Sequence, residues 1–144
     1  MAYPASMELP VTTARKQIDN YAANGYHGDL SGLLILERRN ATIDGRNGFN
    51  CLTYVMQKIK GLRPDTSFDP CPIWAKGFHR VFNPMPQDLA IYIDTSIPLP
   101  EQVHIGIVRT PNLVESKWGN YHIFLHQLAS VPTYYGNKLL FFRR

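Results

Sequence analysis

Two cysteines, Cys51 and Cys71, stand in 144 residues. That is too few, and too widely spaced, for a secreted disulfide scaffold. No apolar run approaches the ~20 residues of a membrane-spanning helix, so no membrane partner is expected. The opening Met1-Ala2-Tyr3-Pro4-Ala5 lacks a basic stretch leading into an apolar core. No signal peptide is therefore expected; the chain reads as made in the cytoplasm, with any export left to a dedicated secretion system. Charge is sparse: 15 Lys plus Arg against 11 Asp plus Glu leave +4. The basic residues are scattered, densest at Arg38-Arg39 and Arg143-Arg144, and none form a stripe interleaved with aromatics, so no nucleic acid is expected as a partner. There is no His-Glu-x-x-His, no paired-cysteine zinc spacing and no glycine-rich phosphate loop, so no metal and no cofactor are expected. His122 and His126 fall on one expected strand, ~13 Å apart, too far to share an ion.

Apolar residues are plentiful at 44%, with eight Tyr, seven Phe and two Trp. A chain of this length forms one domain, residues 1–144, and buries roughly 70% of its unfolded surface without staples. Val11 to Ala23 has helical spacing behind Thr12 or Thr13 as cap. Gly32 to Leu36 is a short apolar run that fits either a strand or a buried helix. Asn40 to Asn47 is rich in turn formers. A second helix runs from about Asn50 to Lys60, stopped by Gly61, and a third, short helix is expected within Ile73 to Phe82. From Asp88 the pattern becomes strands: Leu89–Ile93, Val103–Val108, Asn112–Lys117, His122–His126 and Lys138–Phe142, parted by Pro, Gly or Asn. Helices first and strands later make the class α+β, with N-terminal helices on a C-terminal antiparallel sheet of about five strands.

Two residues suggest chemistry. Cys51 falls at the start of the second helix, where free amides and the helix dipole favour a thiolate and can hold an oxyanion. The same cysteine also suits a core-filling role, and position alone leaves both open. Cys71, between two prolines, reads as structural. In Val103-His104-Ile105-Gly106-Ile107, alternation puts Val103, Ile105 and Ile107 on one face and His104 with Gly106 on the other. Gly106 would leave room beside the imidazole for a thiol or substrate. A four-residue loop, Val108 to Pro111, would set His104 opposite Glu115, whose carboxylate would then fix the imidazole tautomer. A shift of one residue would turn Glu115 to the other face.

In order, these features resemble the NlpC-type cell-wall peptidases, a branch of the papain-like fold. Cys51, with Tyr54-Val55 behind it, matches the start of their nucleophile helix. Asp88-Leu89 matches their strand entry, His104-Ile105-Gly106 their His-x-Gly strand, and Glu115 falls near their third, orienting residue. The resemblance covers about residues 47–118. It implies a papain-like domain in which Cys51, His104 and Glu115 cleave an amide bond, most naturally in peptidoglycan stem peptides. An inhibitor protein is a possible partner. Trp118, Lys117 and Tyr92 become candidates to line a substrate groove. Two alternatives stay open: an acyltransferase or deamidase acting on a protein or lipid amide, and a non-catalytic interaction domain.

Overall fold

A computed structural model describes residues 7–59, 78–96 and 101–144. Cys71, Gly61 and residues 73–77 of the expected Ile73–Phe82 helix lie outside them. Among the described residues, eight strands form one sheet: β1 (Met7–Glu8), β2 (Leu33–Glu37), β3 (His79–Val81), β4 (Leu89–Asp94), β5 (Glu101–Thr110), β6 (Leu113–Lys117), β7 (Ile123–Gln127) and β8 (Lys138–Arg143). Their order is β1-β8-β4-β5-β6-β7-β2, with β3 also on β8, and every pairing is antiparallel. With helices α1 (Thr13–Ala23), α2 (Ala41–Asn47) and α3 (Cys51–Lys58), the class is α+β. The five expected C-terminal strands are β4 to β8; β1, β2 and β3 enlarge the sheet.

Two differences from the sequence reading have local causes. Residues 40–47, rich in turn formers, fold as α2. Asn40 Oδ1 accepts from the amides of Thr42 and Ile43 at 3.0 and 3.1 Å, and Gly48 closes the helix at φ 65°. The same residue types that mark turns therefore serve here as helix caps. Within the span read as a third helix, His79–Val81 is a strand paired with Phe141–Arg143.

The sheet is covered on both faces, which explains why β4 reads as a continuous apolar run. Ala90 and Tyr92 join a cluster with Ile18 and Tyr21 of α1, Tyr26, Trp118, Phe124 and Tyr135. Leu89, Ile91 and Ile93 join a second cluster with Leu52 and Val55 of α3, Ile105 and Ile107. Arg15, 2% exposed, ties α1 to its side of the sheet. Its guanidinium donates to the carbonyls of Leu9, Pro10, Val131, Pro132 and Gly136 at 2.8 to 3.3 Å. The last three of these frame a single 3-10 turn at Thr133–Tyr135.

Candidate functional site

Cys51 is the first residue of α3. Asn50 caps the helix: its side chain accepts from the amides of Leu52 and Thr53 at 3.0 and 3.2 Å, and Thr53 Oγ1 accepts from the Asn50 amide at 2.7 Å. This capping box takes the second and third amides of the helix and leaves the Cys51 amide outside the cap.

The setting of the sulfur follows from how β5 pairs. The Val108 amide donates to Asp88 O and the Val108 carbonyl accepts from Gln87, so even-numbered residues of β5 direct their backbone groups to β4. Ile105 and Ile107 then direct theirs towards β6. Ile107 finds Glu115 there, but the β5–β6 ladder ends at that rung although β6 continues to Lys117. Ile105 lies beyond that last rung. The amides of Ile105, Leu52 and Cys51 itself favour the thiolate of Cys51, as does the Lys117 ammonium, but burial outweighs them and pushes the thiol pKa up. Cys51 is half-buried and packs against the cluster on the α3 face.

His104 sits directly before Ile105, with its side chain on the other face. It is 1% exposed, stacks on Tyr135 with centroids 4.0 Å apart and planes 9° apart, and lies 5.6 Å from the Tyr92 ring. Burial, with a smaller contribution from His126, holds its pKa well below the ordinary 6.5. Its Nε2 is buried and has no hydrogen-bond partner. The structure thus places the two side chains on opposite faces of the sheet, Cys51 with the α3-side cluster and His104 against Tyr135 and Tyr92.

Glu115 does not stand opposite His104. Thr110 pairs with Leu113, so the connection is the two residues Pro111-Asn112, with an irregularity between Val108 and Thr110. Glu115 consequently faces Ile107, three residues further on, and an odd displacement puts it on the α3 face. There it accepts a hydrogen bond from the Tyr54 hydroxyl and pairs with Arg109 at 3.4 Å. It is a packing and pairing residue, and it is far from the role of orienting His104. Val103 also departs from its expected face. A bulge in the β4–β5 pairing between Tyr92 and Ile93 moves it to the α1-side cluster. The room expected beside Gly106 is filled: a Cβ there would lie 2.5 Å from Val114 Cγ1 and 3.0 Å from Ser116 Cβ.

The three groove candidates are all interior. Tyr92 is 0% exposed and donates to Leu128 O at 2.7 Å. Trp118, 1% exposed, packs on Phe124 at 4.4 Å. Lys117, 0% exposed, pairs with Asp44 at 2.8 Å, donates to Tyr121 O at 2.6 Å and lies over the Phe49 ring. A groove residue must reach solvent, and the cover on both sheet faces buries all three. A cleft of about 470 Å³ does open beside the start of α3, lined by Arg39, Asn47, Phe49, Thr53 and Gln57 among others, although neither Cys51 nor His104 lines it.

The polar side chains that share the face of His104 were missed. Ser116 Oγ bonds His126 Nε2 at 2.8 Å and accepts from Trp118 Nε1 at 2.9 Å, and His126 Nδ1 bonds Gln127 O at 2.8 Å. Burial drives the pKa of His126 down to about 4. The true register was the one signal that could have revealed them, since it sets Ser116 beside Gly106. Among the described residues, no group of three or more His, Cys, Asp or Glu side chains is arranged to hold a metal, and no helix is long and apolar enough to cross a membrane. The chain matches no family model, and no curated protein or solved structure matches it.

Proposed function

We propose that the protein is a papain-like cysteine hydrolase of the NlpC type, acting on an amide bond in peptidoglycan stem peptides, with Cys51 as nucleophile and His104 as base. What supports this reading is that Cys51 opens α3 beside β5 and that the amide of Ile105, the residue that follows His104, favours its thiolate.

Burial raises the thiol and lowers the imidazole, so at rest the pair is thiol and neutral imidazole rather than the ion pair expected from a helix tip alone. His104 would take the thiol proton as sulfur attacks the carbonyl carbon. The oxyanion would accept from the Cys51 amide, which the Asn50 cap leaves unused. The imidazolium would return its proton to the departing amine, leaving a thioester on Cys51. Water, deprotonated by His104, would then release the acid and regenerate the thiol.

A second reading, a non-catalytic binding domain, is favoured by the enclosure of His104 at 1% exposure. The two separate on purified peptidoglycan. Incubation with the full chain, followed by mass spectrometry, should release stem-peptide fragments that vanish with Cys51→Ala and His104→Ala. Intact peptidoglycan after incubation with the wild-type protein would overturn the assignment of this substrate. Fragments released equally by folded Cys51→Ala would overturn the mechanism.

A further inference from the structure

Two imidazoles, His104 of β5 and His126 of β7, lie in the aromatic packing on the α1 side of the sheet, each 1% exposed. Tyr135 stacks on His104 at 4.0 Å, Trp118 lies 5.4 Å from His126, and 5.9 Å separates Tyr135 from Trp118. His104 Nε2 has no hydrogen-bond partner, and both His126 nitrogens are engaged, with Ser116 Oγ and Gln127 O. The other groups on this side that carry or can take charge are Arg15, Asp19 and Tyr21 of α1, Tyr26, Tyr92 of β4, Tyr135 of the 3-10 turn and the half-buried His122 just before β7. Arg15 is a cation, burial keeps the tyrosines neutral, and Asp19 is bonded to the Thr133 amide and hydroxyl at 2.7 and 2.6 Å. Among the described residues no carboxylate stabilises either imidazolium.

A proton on either ring would be a buried charge without a partner, which is costly unless water reaches it. The sheet closes one side of these rings, so water must enter through the cover on the other. Helix α1 and residues 131–136 belong to that cover, and polar contacts make them one unit. Arg15 donates to the carbonyls of Val131, Pro132 and Gly136 at 2.8 to 3.0 Å, and Asp19 accepts from Thr133. Tyr135, held between these contacts, is the ring laid on His104.

We infer that α1 and residues 131–136 form an acid-released flap: proton uptake by His104 and His126 lifts the two together and bares the His104 face of the sheet, while the α3 side stays packed. The inference is independent of the hydrolase reading. Burial holds both imidazoles below their ordinary 6.5, His126 at about 4. Between those values an open state with solvated imidazoles binds more protons than the closed one. Closure is therefore fully favoured above 6.5 and weakens as pH falls from there towards the closed-state values. On the α3 side Asp44 is held below 3.8, so its contribution is lost only beneath that. The flap thus responds at a milder pH than the α3 side. With 6.5 open and about 4 closed, His126 alone raises the opening constant about 20-fold from pH 7 to pH 5, and His104 adds to it.

The test is amide hydrogen exchange of the full chain at pH 7 and pH 5, with opening constants taken after correction for the intrinsic exchange rate. The slowest amides of α1, and that of Tyr135, should open at least tenfold more at pH 5, while the slowest amides of α3 stay within threefold. The double variant His104→Phe, His126→Gln keeps a ring on Tyr135 and an acceptor for Ser116 but cannot titrate, and should hold α1 within threefold over the same range. A rise under tenfold at α1 in the wild type, an equal rise at α3, or a rise that survives in the folded double variant overturns the inference. The wild-type comparison decides the matter even where the double variant does not fold.

Discussion

Replacing Gly106 by alanine tests the packing on which the site geometry depends. The backbone at 106 carries no positive φ, so an added methyl meets only a problem of space. Its Cβ would stand 2.5 Å from Val114 Cγ1, 3.0 Å from Ser116 Cβ and 3.1 Å from the Glu115 carbonyl oxygen. Favourable carbon contacts lie at about 3.5–4.0 Å, so the methyl overlaps its nearest neighbour by about 1 Å. Val114 is 0% exposed and β-branched, with little rotamer freedom to yield, and the other obstacles are the β6 backbone and a short side chain. Relief requires β5 and β6 to part next to their last rung, Ile107–Glu115.

Overpacking of this kind costs about 1–3 kcal/mol, and the stiff surroundings favour the upper half. With an unfolding entropy of about 2.1 cal/mol/K per residue, a chain of 144 residues loses about 3 °C of Tm per kcal/mol. Gly106→Ala should therefore lower Tm by about 6–10 °C, read by circular dichroism and checked by urea unfolding. Val114→Ala removes the nearest obstacle, so in that background the same substitution should cost at least ~1 kcal/mol less, a coupling that a double-mutant cycle measures. A Gly106→Ala protein within ~0.5 kcal/mol of wild type, or a strictly additive cycle, would refute the close approach of the strands. The placement of Ser116 would fall with it.

Glu115→Gln, which keeps an acceptor for Tyr54 but loses the Arg109 pair, should leave fragment release within about threefold of wild type; a loss of ~10²-fold or more would return Glu115 to the catalytic set. Asp44 is held below its ordinary value of 3.8, chiefly by hydrogen bonding from Arg39, so its contribution is complete above that value and is lost as pH falls through the lower folded one. Asp44→Asn should flatten the acid limb of urea stability below pH 4, and at neutral pH should cost about 3 kcal/mol by leaving Lys117 buried without its carboxylate. Because burial keeps His104 neutral below 6.5, fragment release should stay at its plateau as pH falls through 6.5 and decline only beneath it; half-maximal activity at or above 6.5 would contradict the burial of the base. Arg15→Met should destabilise by about 3 kcal/mol or more, since it strands several buried carbonyls, and Arg15→Lys should recover little because one ammonium cannot span them.

Local rules carried much of the sequence reading. The Thr12 cap of α1, the start of α3 near Asn50, the α+β class and the stretches that form β4 to β8 follow from short-range patterns that the tertiary structure leaves alone. Helix α2 escaped because Asn40, Asp44, Gly45 and Gly48 are turn residues by composition, and only the chain's path shows that Asn40 and Gly48 sit at the two ends of one helix. The site was legible at its two poles and illegible between them. Cys51 at a helix start and His104 on a strand are properties of single segments. Which residue lies opposite His104 depends on the length of one turn and on one irregularity, and the register, three residues from the expected one, sets Glu115 against Ile107 and Ser116 beside Gly106. Tyr92, Lys117 and Trp118 failed as groove residues for a related reason. Whether both faces of the sheet are covered is decided by α1, held by Arg15 contacts more than a hundred residues apart in sequence, and no local pattern announces them.

The β5–β6 ladder ends at the Ile107–Glu115 rung, and this end has an identifiable cause. Past the Glu115 rung, β6 remains paired with β7 through Lys117–Ile123, and the chain turns back immediately, with the Trp118 amide bound to His122 O. Lys117 is drawn to the α3 face by Asp44, whereas Ser116 and Trp118 are drawn to the other by His126 and the aromatic cluster. β5 meanwhile stays with β4 as far as Asp94–Glu101. Each strand is thus held by its outer neighbour, and the amide of Ile105 is left to the thiol that α3 delivers.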